Sequence, residues 1–101
     1  MSSETFTSEA KVNTLKAAGW IKTLCIHFQH KVTAEWSDNE GMVNFSKFEH
    51  GLCRMTAADG VLTLNAEAAS PEKLKLTKGI VAGHLEKFAV KEGIKVDWQD
   101  S

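Results

Sequence analysis

Between Thr14 and His30 the apolar positions recur with the period of a helix. Ile21, Leu24, Cys25 and Phe28 stand at i, i+3, i+4 and i+7, with Ala17 and Ala18 one turn earlier, so one stripe is expected to face a core. Gly19 inside this segment costs about 1 kcal/mol relative to alanine, and the reading is that it lets another element pack closely. Ahead of the helix, Ala10-Lys11-Val12-Asn13 reads as a short strand.

After His30 the period drops from 3.6 to 2. Val32, Ala34 and Trp36 alternate with Thr33 and Glu35, the pattern of a half-buried strand. Ser37 to Gly41 carry turn chemistry, and Met42 to Phe45 read as the returning strand. A looser stretch, Ser46 to His50, precedes a third strand from Leu52 to Ala57. Asp59-Gly60 then stands between two apolar runs and predicts a type I′ hairpin, which needs positive φ at both positions. The fourth strand follows from Val61 to Ala68, with Leu62, Leu64 and Ala66 on one face.

Ser70-Pro71-Glu72 opens a second helix, with a hydroxyl N-cap and proline at the first helical position. Leu74, Val81, Leu85 and Phe88 mark its apolar face, Gly93 suits its exit, and Ile94 to Trp98 alternate like a closing strand. The order (β)-α-β-β-β-β-α-β predicts an α+β two-layer sandwich, with an antiparallel sheet of four to six strands and two helices on one face.

At 101 residues the chain has the size of a single domain, expected to span 1–101 with an ordered core of about 10–98. A formal net charge of −1 without a basic run disfavours nucleic acid, whose phosphates demand cationic excess. No apolar stretch reaches the roughly 20 residues that span a bilayer. The first seven residues resemble no secretory leader, and two cysteines make no disulfide framework, so a cytoplasmic location is the expectation.

Histidines and cysteines carry the sharpest chemistry. On a helical wheel His27 lies at the edge of the first apolar stripe near Trp20, and His30 points away from it. His84 falls on the apolar face of the second helix between Val81 and Phe88. With the helices side by side, His27 and His84 would approach, and with Cys53 or a glutamate could seat a transition metal, haem or iron chelate. The competing reading is structural: a core histidine with one satisfied hydrogen bond, and a free cysteine acting as a small hydrophobe. Neither C-x-x-C nor H-E-x-x-H spacing occurs, so no metal or cofactor is assigned.

A cysteine nucleophile, Cys25 or Cys53 paired with His27 or His84, would need exposure that an inward stripe denies Cys25, so no catalytic residue is assigned. Lys78 to Gly83 hold two glycines but sit inside the helix, so they make no phosphate loop. Gly79 and Gly83 are expected to let the helix approach another backbone, with Lys73, Lys75 and Lys78 as its solvated face. Trp36 and Trp98 read as core or edge aromatics, or as the mouth of a site for a planar ligand. The candidate ligand-binding set is therefore His27, His30, His84 and Trp36.

Leu24-Cys25-Ile26-His27-Phe28-Gln29-His30-Lys31-Val32, followed by Glu35-Trp36, resembles a bacterial family known as domain of unknown function 2218. There the helix usually ends in L-C-x-H-[FW]-x-H-K. His84-Leu85-Glu86-Lys87-Phe88-Ala89 with Trp98 is similar to the family's closing H-L-x-x-F-A and terminal aromatic, and Gly51-Leu52-Cys53 and Leu62 to Ala68 fit its middle. The chain departs from the pattern in extra length around Ser46 to His50. The resemblance implies no reaction. It does imply a neighbourhood, because such domains stand beside or joined to siderophore-utilisation proteins, an association that does not itself define a site. The sequence thus reads as a small non-enzymatic accessory or ligand-binding protein, monomer or homodimer, linked to iron–siderophore handling. The alternatives are an enzyme using His27 and His84, and an interaction module without ligand.

Overall fold

The computed structural model describes residues 5–100. β1 (Phe6–Asn13) leads into α1 (Ala17–Phe28), then β2 (Thr33–Trp36) and β3 (Glu40–Asn44). A 3-10 turn at Ser46–Phe48 precedes β4 (Leu52–Ala58), β5 (Val61–Ala68) and α2 (Pro71–Phe88). A second 3-10 turn, Val90–Glu92, comes before the short β6 (Gln99–Asp100). The strands form one antiparallel sheet in the order β2-β3-β4-β5-β1-β6. α1 lies over β2, β3 and β4, and α2 lies mainly over β5 and β1. The predicted α+β two-layer arrangement is what forms.

Period-2 alternation decides which strand residues meet the helices. On β5, Leu62, Leu64, Ala66 and Ala68 are buried while Val61, Thr63, Asn65 and Glu67 are partly open. Ala17, Ile21, Leu24, Cys25 and Phe28 are the buried stripe of α1, and Ala18 is exposed. α2 buries Leu74, Thr77, Val81 and Leu85, whereas Phe88 is only partly buried. The Ser70 side chain accepts a hydrogen bond from the Lys73 N–H at 3.2 Å, which caps α2 as its sequence predicts. Asp59 and Gly60 have φ of 53° and 74°, the pair of positive values that a type I′ hairpin requires.

Several local expectations need correction. β1 begins at Phe6 and pairs along all eight residues with β5, from Phe6 opposite Ala68 to Asn13 opposite Val61. α1 starts at Ala17, because the Thr14 hydroxyl accepts from the Lys16 N–H at 3.1 Å and donates to Glu92 Oε1 at 2.7 Å. Ile94 to Trp98 form no strand. Val96 donates its N–H to Glu86 Oε2 at 2.9 Å, so a side chain satisfies this backbone, and pairing with β1 waits until Gln99. A Cβ at Gly19, Gly79 or Gly83 would meet nothing within 4 Å, so none of these glycines serves a close approach. Lys78 is not simply solvated either: it pairs with Asp100 at 2.7 Å.

Candidate histidine cleft

α1 ends at Phe28, and the chain turns there because the N–H groups of Lys31 and Val32 both donate to the Phe28 carbonyl, at 3.0 and 2.9 Å. His30 therefore lies past the helix, and its position on a helical wheel does not apply. The turn carries His30 and Lys31 to the mouth of a cleft of about 440 Å³ between the end of α1, the Ser46–Phe48 turn and the middle of α2. His27, His30, His50 and His84 all line it, and they are the only histidines in the sequence. Phe28, Val32, Phe45, Phe48 and Ile80 supply its apolar walls, and among the described residues Lys31 is its one lysine and no carboxylate lines it.

The imidazoles of His27 and His84 have ring centres 4.9 Å apart, with the planes inclined at 44°. Phe28 sits edge-on to both, at 5.2 Å from His27 and 4.9 Å from His84, and Phe88 lies 5.2 Å from His27. His84 Nδ1 is 2.7 Å from the Ile80 carbonyl oxygen. A carbonyl only accepts, so Nδ1 carries the hydrogen, and a neutral His84 ring keeps its lone pair at Nε2. Desolvation lowers the His27 pKa below its ordinary 6.5, and positive charge at His84, His30, Lys31 and Lys87 lowers it further.

His50 belongs to the site, although no periodicity singled it out. Its position depends on a backbone device. Glu49 adopts a left-handed φ of 62°, and Gly51 donates its N–H to the hydroxyl of Thr77, fully buried on α2, at 2.9 Å. Thr77 in turn donates to the Lys73 carbonyl at 2.8 Å. A side chain at Gly51 would fall on the Glu67 carbonyl of β5, so only glycine allows this approach. The loop is thereby tied down with Phe48 and His50 against the cleft. His50 Nδ1 is buried without a hydrogen-bond partner among the described residues. The one hint of His50 in the sequence was the extra length around Ser46 to His50.

The remaining candidates lie elsewhere. Trp36 packs partly buried against the core and borders a separate open depression with Glu40, Met42 and Arg54. Cys53 is fully buried on β4, and burial pushes its thiol up to about 12. Burial raises the Cys25 thiol as well, and neither cysteine lines the cleft. Among the described residues no three His, Cys, Asp or Glu side chains stand where they could hold a metal ion between them. No described helix is long and apolar enough to cross a membrane.

The chain's residues 9–99 match the model of the family described as "Uncharacterized protein conserved in bacteria (DUF2218)". No curated protein matches. Among solved structures the chain is similar to the NMR structure of PA4090 from Pseudomonas aeruginosa. The two share 26% identity over 93% of this chain and 95% of the other, with a TM-score of 0.76.

Proposed function

We propose a ligand-binding, non-enzymatic function for this chain, which belongs to the bacterial DUF2218 family: the histidine cleft holds a small planar ligand with an apolar body and an anionic edge. The observation that carries this reading is the gathering of all four histidines and Lys31 around one cleft whose other walls are Phe28, Val32, Phe45, Phe48 and Ile80. Flat aromatic walls favour a flat ligand, and a few convergent polar groups orient it. Because Lys31 and the histidines line the cleft and no carboxylate does so among the described residues, its charge complement is an anion. Aryl carboxylates and catechols have this shape and charge, and they are building blocks of iron chelators, which fits an accessory role in siderophore handling in the cytoplasm.

Two buried thiols with raised pKa values leave a cysteine–histidine nucleophile without a thiolate, while an enzyme using His27 and His84 stays the alternative reading. The test is NMR titration of the metal-free protein with salicylate and 2,3-dihydroxybenzoate. Shifts should concentrate at the cleft, with dissociation constants below about 1 mM. His27→Ala and His84→Ala should each weaken binding several-fold. No saturation by about 1 mM, or binding indifferent to both substitutions, rejects the cleft as the site.

A further inference from the structure

Two features of the imidazole pair are compatible with a shared ligand. The first is spacing. Two histidines bound to one tetrahedral ion through bonds of about 2.0–2.1 Å would have ring centres roughly 5 Å apart, and His27 and His84 stand at 4.9 Å on different helices. The second is tautomer. The Ile80 carbonyl holds the hydrogen of His84 at Nδ1, the outer-shell arrangement that leaves Nε2 as the ligating nitrogen.

Against a resident ion stands the lack of a third protein ligand among the described residues. A first-row transition ion held by two imidazoles alone leaves its remaining positions to other donors. The cleft offers aromatic walls in their place, at Phe28, Phe45 and Phe48. An ion that brings an organic chelator meets both conditions.

Resting on the ligand-binding reading above, we propose that the ligand arrives with its own metal. It is a first-row transition ion chelated through phenolate and carboxylate oxygens by a planar aromatic body, and His27 and His84 each supply one imidazole nitrogen to its open positions. Imidazole suits iron, nickel, copper and zinc, and the oxygen chelator and apolar walls choose among their complexes. No bond of the chelator is made or broken, and the ion exchanges bound water for nitrogen.

The probe is the 1:1 copper(II)–salicylate complex, compared with salicylate alone and with copper(II)–glycinate, on the full chain. Binding is followed by calorimetry, and the nitrogens on copper are counted by electron paramagnetic resonance. Copper(II)–salicylate should bind at least about tenfold tighter than salicylate, with two imidazole nitrogens on the metal. It should also bind more tightly than the glycinate, which lacks the aromatic ring. His27→Ala and His84→Ala should each remove one nitrogen, and His30→Ala none. Equal binding of salicylate with and without copper, and no nitrogen signal, would overturn the metal while leaving the cleft as a site. Binding of neither would overturn both readings. Two nitrogens that persist in the His27 and His84 variants would overturn the assignment of ligands.

Discussion

The His27 imidazole, in the last turn of α1, lies 4.9 Å from that of His84 on α2, and Phe28 touches both rings edge-on. This is where the two helices meet at one end of the cleft. Positive charge at His84 disfavours a proton on His27.

Stability should therefore respond to acid. The folded protein holds the His27 pKa below its ordinary 6.5, so the unfolded chain binds the proton first. That contribution is present above pH 6.5 and is lost as pH falls through the lower folded value. Urea midpoints measured from pH 7.5 down to 4.5 should decline, and His27→Ala should flatten part of that decline. A variant with the parent's full pH dependence would place the titration on another group.

Phe28 is 7% exposed and stands edge-on to Phe45 at 5.1 Å, so it belongs to both the core and the cleft wall. Phe28→Ala should cost about 3–5 kcal/mol in chemical denaturation. Phe88 lies on the predicted stripe of α2 but is only partly buried, so Phe88→Ala should cost distinctly less. Equal losses would mean that Phe88 is as enclosed as Phe28.

Thr77→Val keeps the shape of a fully buried side chain but removes the acceptor of the Gly51 N–H. An orphaned buried donor costs about 1–3 kcal/mol. Hydrogen exchange at Gly51 should accelerate, and resonances of Phe48 and His50 should broaden as their loop loosens. Unchanged exchange at Gly51 would show that the loop is held by other contacts.

Gly60→Val places a β-branched residue at a φ of 74° in the β4–β5 hairpin. The strain should destabilise the fold by about 1–3 kcal/mol, well beyond an ordinary surface change. Gly60→Asn, which tolerates the left-handed region, should recover most of the loss. Thermal melts of the two variants that coincide would argue against backbone strain as the cause.

Local chemistry made much of the fold legible. The Asp59-Gly60 hairpin, the Ser70-Pro71 start of α2 and the alternation of β5 are each decided by neighbours within a few residues, so their patterns are complete in the sequence. The pair His27 and His84 was legible as two faces that would approach if the helices lay side by side. His50 was not, because it sits in an irregular loop where no period assigns a direction to a side chain. Trp36 misled in the opposite sense: a strand-end tryptophan suits a ligand mouth, but this one borders a different depression.

Sequence by itself determined the α+β class, the antiparallel meander from β2 to β5 and the inward stripes of both helices, because burial periodicity is a property of each segment alone. Tertiary structure decided where the ends of the chain go. β1 lies between β5 and β6, its polar Thr7, Ser8 and Glu9 held in the sheet by backbone pairing that no side-chain pattern announces. Ile94, Val96 and Trp98 alternate like a strand, yet all three bury apolar surface without a ladder. Tertiary structure also assembled the cleft. The 26-residue separation between Gly51 and Thr77 is closed by a single hydrogen bond. That bond joins the loop before β4 to α2 across the packed sheet, so the place of His50 beside the other three histidines is a consequence of the fold and not of any local code.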